Sequence, residues 1–193
     1  MLNDENIKLP EFYTRINEAS RKIEFSMPSD LKTGALLRSL SASKPGGRLL
    51  ELGTGTGLSL SWMAEGADQN AVIISIDNSE KYQQIAKDIF EGDQRISLIC
   101  TDALEWVNAY DGVKFDLIFA DAWPGKFEGL EETLALLRPG GFYLIDDLLP
   151  QPNWWDGHQA SVDHLVENLL QRSDVVQTTL NWSTGLMLFT KIR

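Results

Sequence analysis

One cysteine and two histidines are all that this 193-residue sequence carries of the residues that build disulfides and most zinc sites. Cys100 alone cannot close an internal bridge, and its setting in RISLICTDA predicts a small buried hydrophobe. No Cys/His spacing suggests zinc, and no Ser-His-Asp arrangement is apparent. Basic residues are also scarce, 17 Lys and Arg against 28 Asp and Glu, for a net charge of -11. That balance excludes nucleic acid as an expected partner, because phosphate-backbone affinity rests on clustered cations. No apolar run approaches transmembrane length, and MLNDENIKLPEF lacks the basic and apolar blocks of a signal peptide. A cytoplasmic location with no membrane partner is therefore expected. Repeats and low-complexity segments are absent too. What is present is enough apolar material for a sizeable core, 43% of residues, in a length that fits one domain over 1–193.

The pattern alternates. A polar helix is predicted from Pro10 to about Glu24, with Phe12, Ile16, Ala19 and Ile23 on one face, and a second through LKTGALLRSLSAS, capped by Ser29 or Asp30. Five apolar strands then follow: RLLEL (48–52), AVIISID (71–77), RISLICTD (95–102), FDLIFADA (115–122) and FYLIDDLL (142–149). Helical spacing fills each gap, the fourth helix (LEETLALL) stopping at RPGG. A helix over QASVDHLVENLLQRS and two strands, DVVQTTLNW and GLMLFTKIR, complete the chain. Apolar strands alternating with helices predict an α/β fold, a doubly wound and mostly parallel sheet of seven strands. The short turn between the last two strands makes them antiparallel to each other.

In such a sheet ligands bind beyond the carboxyl ends of the strands. That edge collects Asp77, Asp102, Asp121 and the pair Asp146–Asp147. The first loop, ELGTGTGLS, lacks the Lys of an ATPase phosphate loop, and its glycines fall at first, third and fifth positions rather than in the dinucleotide spacing. It offers bare backbone without a phosphate site. Asp77 ends the next strand, where an acid binds a ribose hydroxyl pair or caps the following helix in competition with Ser79. Asp102 is placed to accept from an adenine amino group. A cofactor with a positive centre and no pyrophosphate suits this acidic rim, and S-adenosylmethionine fits.

With these residues the sequence resembles the class I S-adenosylmethionine-dependent methyltransferases from about Leu31 onward. The resemblance rests on ELGTGTG, SIDN, CTDA, FDLIFADA, LRPGG and the closing strand pair. It implies a Rossmann-like methyltransferase fold with the helices over about 10–43 as a cap. The cofactor-binding residues it implies are Glu51, Gly53, Thr54, Gly55, Gly57, Ser59, Asp77, Asn78, Asp102, Ala103, Asp121 and Trp123. A narrower resemblance, through the lead-in DLKTGALLRSL, is to the metal-dependent catechol and caffeoyl-CoA O-methyltransferases. It implies Mg2+ or Ca2+ on Asp121, Asp146 and Asp147. Three converging carboxylates repel one another, and a hard cation relieves that repulsion. Two departures stand out: Asp147 replaces an Asn, and Pro124 stands where the family has a Lys, with Lys126 two residues later.

The catalytic candidates are Asp121, Lys126 and His158. The loop LLPQPNWWDGH carries Trp154 and Trp155, which cover either a substrate or the core. Trp182 lines the substrate side or packs on the sheet; His164 has no chemical role. The expected activity is methyl transfer to a small molecule, with oxygen preferred as acceptor and a divalent metal assisting. Alternatives are metal-independent N- or carboxyl-methyl transfer, cofactor binding without turnover, and an NAD-dependent oxidoreductase, against which the glycine spacing counts. Little material precedes the first strand, so a small substrate, or a pocket shared across a homodimer, is expected.

Overall fold

The computed structural model describes residues 6–151 and 154–192; the first five residues of MLNDENIKLPEF, residues 152–153 of the LLPQPNWWDGH loop and the last residue of GLMLFTKIR lie outside that range. Seven strands form one sheet in the order β3-β2-β1-β4-β5-β7-β6. They are β1 (Arg48–Leu52), β2 (Val72–Asp77), β3 (Ile96–Cys100), β4 (Phe115–Ala120), β5 (Leu137–Ile145), β6 (Val175–Leu180) and β7 (Leu186–Lys191). β1 to β5 pair in parallel, while β7 runs antiparallel to both β5 and β6. The seven helices of the described chain are α1 (Tyr13–Lys22), α2 (Leu31–Ala42), α3 (Leu58–Gly66), α4 (Glu80–Ile89), α5 (Ala103–Ala109), α6 (Leu130–Ala135) and α7 (His158–Leu170).

Adjacent residues of the central strands point to opposite faces, yet both are buried, which is why the strands read as unbroken apolar runs. Leu49, Ile73, Leu117 and Leu144 enter the core under α1 to α4, and Leu50, Ile74, Ile118 and Ile145 enter the opposite one. Burying each such side chain contributes about 1.5–3 kcal/mol. On the first face α2 crosses α3 at close range. A Cβ on Gly34 would lie 2.4 Å from Trp62 Nε1, so only glycine admits the buried indole. Asp30 starts α2 as its cap, accepting from Lys32 N at 2.7 Å.

Four local expectations change. α1 buries Tyr13, Ile16 and Ser20, and Phe12 is exposed. The hydroxyl of Ser20 lies 2.7 Å from Thr56 Oγ1, so a polar contact interrupts the apolar stripe. RPGG lies within β5 rather than before it: Phe115 pairs with Leu137 and Leu117 with Phe142, and the Pro-Gly segment bulges out between them. β5 then ends at Ile145, because Asp147 takes φ 59° and turns the chain toward Thr184 and Gly185. Cys100 is exposed rather than buried, since β3 is an edge strand of the sheet.

Candidate active site

The chain leaves β1 into the glycine loop, where Gly53, Gly55 and Gly57 all have positive φ, 101°, 51° and 96°. Side chains are rarely tolerated there, and space forbids them as well. A Cβ on Gly53 would lie 2.6 Å from the Asp121 carbonyl, and one on Gly55 would lie 2.8 Å from the Phe25 ring. Backbone bonds from Gly53 and Thr54 to the Ile76 carbonyl tie the loop to β2. Asp77 completes the clamp, one oxygen accepting from Gly55 N and the other from Ser79 N, each at 2.7 Å. Ser79, not Asp77, caps α4.

Beneath the loop runs a directed chain of hydrogen bonds. Ser75 donates its one hydroxyl proton to Glu51 Oε2, so it accepts from the Thr54 hydroxyl, whose Oγ1 in turn accepts from Gln83 Nε2. Glu51 is fully buried, and its second oxygen has no partner among the described residues. Burial pushes its carboxyl up to about 7, and the nearby Ser59 and Ser75 hydroxyls only partly offset that. A buried carboxylate oxygen with no partner stays unsatisfied until a donor reaches it.

Three cavities adjoin along this sheet edge. One, of about 230 Å³, lies on the glycine loop, with Phe25, Tyr82, Ser59 and Asp77 in its wall. A second, of about 250 Å³, continues it past Asn78 to Asp102, Ala103 and Trp123. Asp102 caps α5 through one oxygen, accepting from Glu105 N at 2.9 Å. A third cavity, of about 550 Å³, opens on the other side of Asp121, where it meets the first along Met27, Ser29, Asp121 and Ala122. Its floor carries Asp121, Lys126, Asp146 and Asp147, and its wall is aromatic: Trp123, Phe127, Trp154, Trp155 and His158. The two loop indoles pack on the His158 ring, at 4.5 and 4.2 Å between centroids.

The floor gathers titratable groups that are largely buried. Burial, with Asp146 beside it, holds the Asp121 carboxyl well above the usual carboxylate range, and Lys126 opposes the shift. Burial, with Asp147 next in line, likewise raises Asp146. His158 is buried, its Nδ1 has no partner among the described residues, and burial together with Lys126 lowers its pKa. Both effects favour the neutral imidazole, and Asp147 opposes them.

The sequence profile of a family described as a methyltransferase domain matches residues 50–148, the stretch that builds the loop, the acids and the floor. The chain belongs to that family. Among individual relatives, the O-methyltransferase hkm8 of Aspergillus hancockii is 34% identical over 163 residues, covering 77% of this chain and 64% of its own. A Mycobacterium avium protein provisionally named an O-methyltransferase is 34% identical over 117 residues, covering 58% and 53%. The chain spans about half the length of the first curated relatives it matches. In fold, the methyltransferase domain superposes on TomG, an O-methyltransferase of Streptomyces achromogenes crystallised with S-adenosylmethionine. The TM-score is 0.84 at 23% identity, over 97% of this chain and 92% of that one. A Bacillus cereus O-methyltransferase bound to S-adenosylhomocysteine gives 0.81 at 22%, over 97% and 94%.

Of the residues singled out for the cofactor, Gly53, Thr54, Gly55 and Gly57 lie on the methyltransferase domain's loop, Ser59, Asp77, Asn78, Asp102, Ala103, Asp121 and Trp123 line the cavities along it, and Glu51 is buried in β1 outside them. The three catalytic candidates share the third cavity. The expected metal triad is brought to one floor but not assembled as a ligand set. Among the described residues, no group of three or more His, Cys, Asp or Glu is arranged to hold a metal ion. Asp121 Oδ2 faces the Ser29 hydroxyl at 3.3 Å, and Asp146 Oδ1 accepts from both Asp147 N and Thr184. The donor set therefore fits a divalent ion poorly. Trp182 packs against the core, and His164 pairs with Asn168 on the exposed side of α7. Sequence reasoning missed Phe25, Met27, Ser29, Tyr82, Gln83 and Thr184, which reach the site from remote segments.

Proposed function

We propose that this methyltransferase domain transfers the methyl group of S-adenosylmethionine to an oxygen of a small-molecule acceptor. The observation that carries the reading is the meeting of two cavities at Asp121, one on a backbone-lined loop and one walled by aromatic rings. The names of the relatives support the choice of oxygen as acceptor. When bound, S-adenosylmethionine supplies a methyl carbon made electrophilic by its sulfonium sulfur, which leaves with the bonding electron pair. Glu51 takes the amino group with its free oxygen, the loop from Gly53 to Gly57 lies along the amino-acid part, and Asp77 holds the ribose. Asp102, Ala103 and Trp123 border the base.

Asp121 stands between donor and acceptor and takes the hydroxyl proton as the oxygen attacks. Burial and Asp146 raise its basicity, while Lys126 favours the ionised form that accepts a proton. The aromatic wall fixes the acceptor's orientation and excludes water; such positioning supplies much of the barrier reduction in a displacement. No step runs through a divalent ion. We also read residues 1–193 as one domain, with the helices over about 10–43 as its cap, acting in the cytoplasm.

The test is transfer of labelled methyl from S-adenosylmethionine to a panel of phenols, amines and carboxylic acids. Labelled ethers from the phenols, abolished in Asp121→Ala with cofactor binding retained, are the expected result. Labelled amines or esters alone would overturn the choice of acceptor. Cofactor binding with no product on any acceptor would make the chain a binding module.

A further inference from the structure

We propose that Lys126 is the resident cation of the acceptor floor, holding by itself the position that a divalent ion would otherwise take. Its side chain is buried, 7% exposed, and its ammonium donates to the Asp146 carbonyl oxygen at 3.1 Å while lying 3.9 Å from Asp121 Oδ1. It thus sits between the two acids that would have to ligate a metal. Three of the acid oxygens beside it already face a donor. Ser29 and Lys126 face the two oxygens of Asp121, and the Asp147 amide and Thr184 hydroxyl occupy Asp146 Oδ1. A divalent ion needs six or more oxygen ligands, or a water shell in their place, and would have to displace both these donors and a like charge.

The chain is built to hold the lysine there. Gly125 precedes it with φ 84°, and a Cβ at that position would lie 2.8 Å from Leu52 Cδ1. The buried Tyr143 hydroxyl donates to the Gly125 carbonyl at 2.5 Å, anchoring the turn to β5. Lys126 has three donors. With one on Asp146 and one toward Asp121, the third is left for an oxygen in the cavity that Lys126 lines. This last role rests on the methyl-transfer reading above; the cation assignment does not.

The test is Mn2+ binding to the EDTA-stripped chain by electron paramagnetic resonance, with melting curves in Mg2+ and Ca2+. The wild type is expected to leave the free-ion signal intact and to melt at the same temperature with or without the ions. Lys126→Gln is expected to melt lower, and to recover part of that loss on adding Mg2+ or Ca2+. Saturable Mn2+ binding by the wild type, lost in Asp146→Asn, would overturn the proposal; binding that survives Asp146→Asn lies elsewhere and leaves it standing. A Lys126→Gln variant that melts like the wild type would also overturn it. Titration of S-adenosylmethionine into the same samples keeps the two readings apart. Failure there counts against the cofactor assignment, whatever the ions do.

Discussion

The carboxylate of Asp77 accepts the backbone N–H of Gly55 at 2.7 Å, across 22 residues of sequence. The acid at the end of β2 therefore sets the shape of the loop at the end of β1, in addition to any ligand it holds. Replacing it should do double damage. Asp77→Ala removes charge-assisted bonds worth about 1.5–3 kcal/mol, so the dissociation constant for S-adenosylmethionine should rise roughly 10- to 100-fold. Calorimetry on the variant checks this, and Asp77→Asn should recover only part of the loss because its amide must offer one oxygen where two are used.

Glu51 gives a prediction about pH. Its carboxyl is raised to about 7 by burial, against 4.5 for the free group. An acid raised in the folded state binds more protons there than in the unfolded chain. Its contribution is therefore most favourable below about 4.5 and is lost as pH rises through about 7. Glu51→Gln should stabilise the ligand-free protein at pH 8, by roughly 1–3 kcal/mol in denaturant titrations, and weaken cofactor binding. In the wild type, affinity for the cationic cofactor should rise with pH through about 7 and then level off, since the ionised carboxylate is the form that binds an ammonium. A flat affinity profile from pH 6 to 8 would contradict the assignment.

Much of this was legible in the sequence, and the failures have particular causes. The strands were readable because both faces of the central sheet are buried, leaving contiguous apolar runs such as LLEL and VIISI. The glycine loop was readable because positive φ is a local demand. RPGG misled because Pro and Gly signal a turn whether or not the residue before them, Leu137, already pairs with Phe115. Ser20 misled because its burial serves a contact with Thr56, 36 residues away. Cys100 misled because nothing within RISLICTD says that β3 is an edge. Phe25, Tyr82 and Thr184 have no local signature at all. Only the folded topology brings them to the site.

Gly34 tests the packing of the N-terminal helices. Gly34→Ala would place a methyl 2.4 Å from the Trp62 ring nitrogen. Overpacking of this kind costs about 1–3 kcal/mol, more than the helix propensity that alanine restores. The melting temperature should fall, by roughly 2–4 °C for each kcal/mol. An unchanged or raised melting temperature would mean that α2 and α3 are not in this contact.

Tyr143 separates positioning from chemistry. Tyr143→Phe deletes the hydroxyl that holds the Gly125 carbonyl, leaving a buried acceptor unsatisfied at a cost of about 1–3 kcal/mol. Because the hydroxyl anchors Gly125 next to Lys126, while Trp123 of the same loop only borders the base, kcat should drop more than affinity for S-adenosylmethionine. Equal losses in both would show that the residue serves the fold alone.

Whether the loop from Gly53 to Gly57 holds the amino-acid part of a sulfonium cofactor is decided by a single titration. S-adenosylmethionine is added to the purified chain in a calorimeter, then repeated with S-adenosylhomocysteine present and with NAD in its place. One saturable site is expected, competed by S-adenosylhomocysteine and indifferent to NAD. No saturable heat with S-adenosylmethionine, or displacement by NAD, would contradict it.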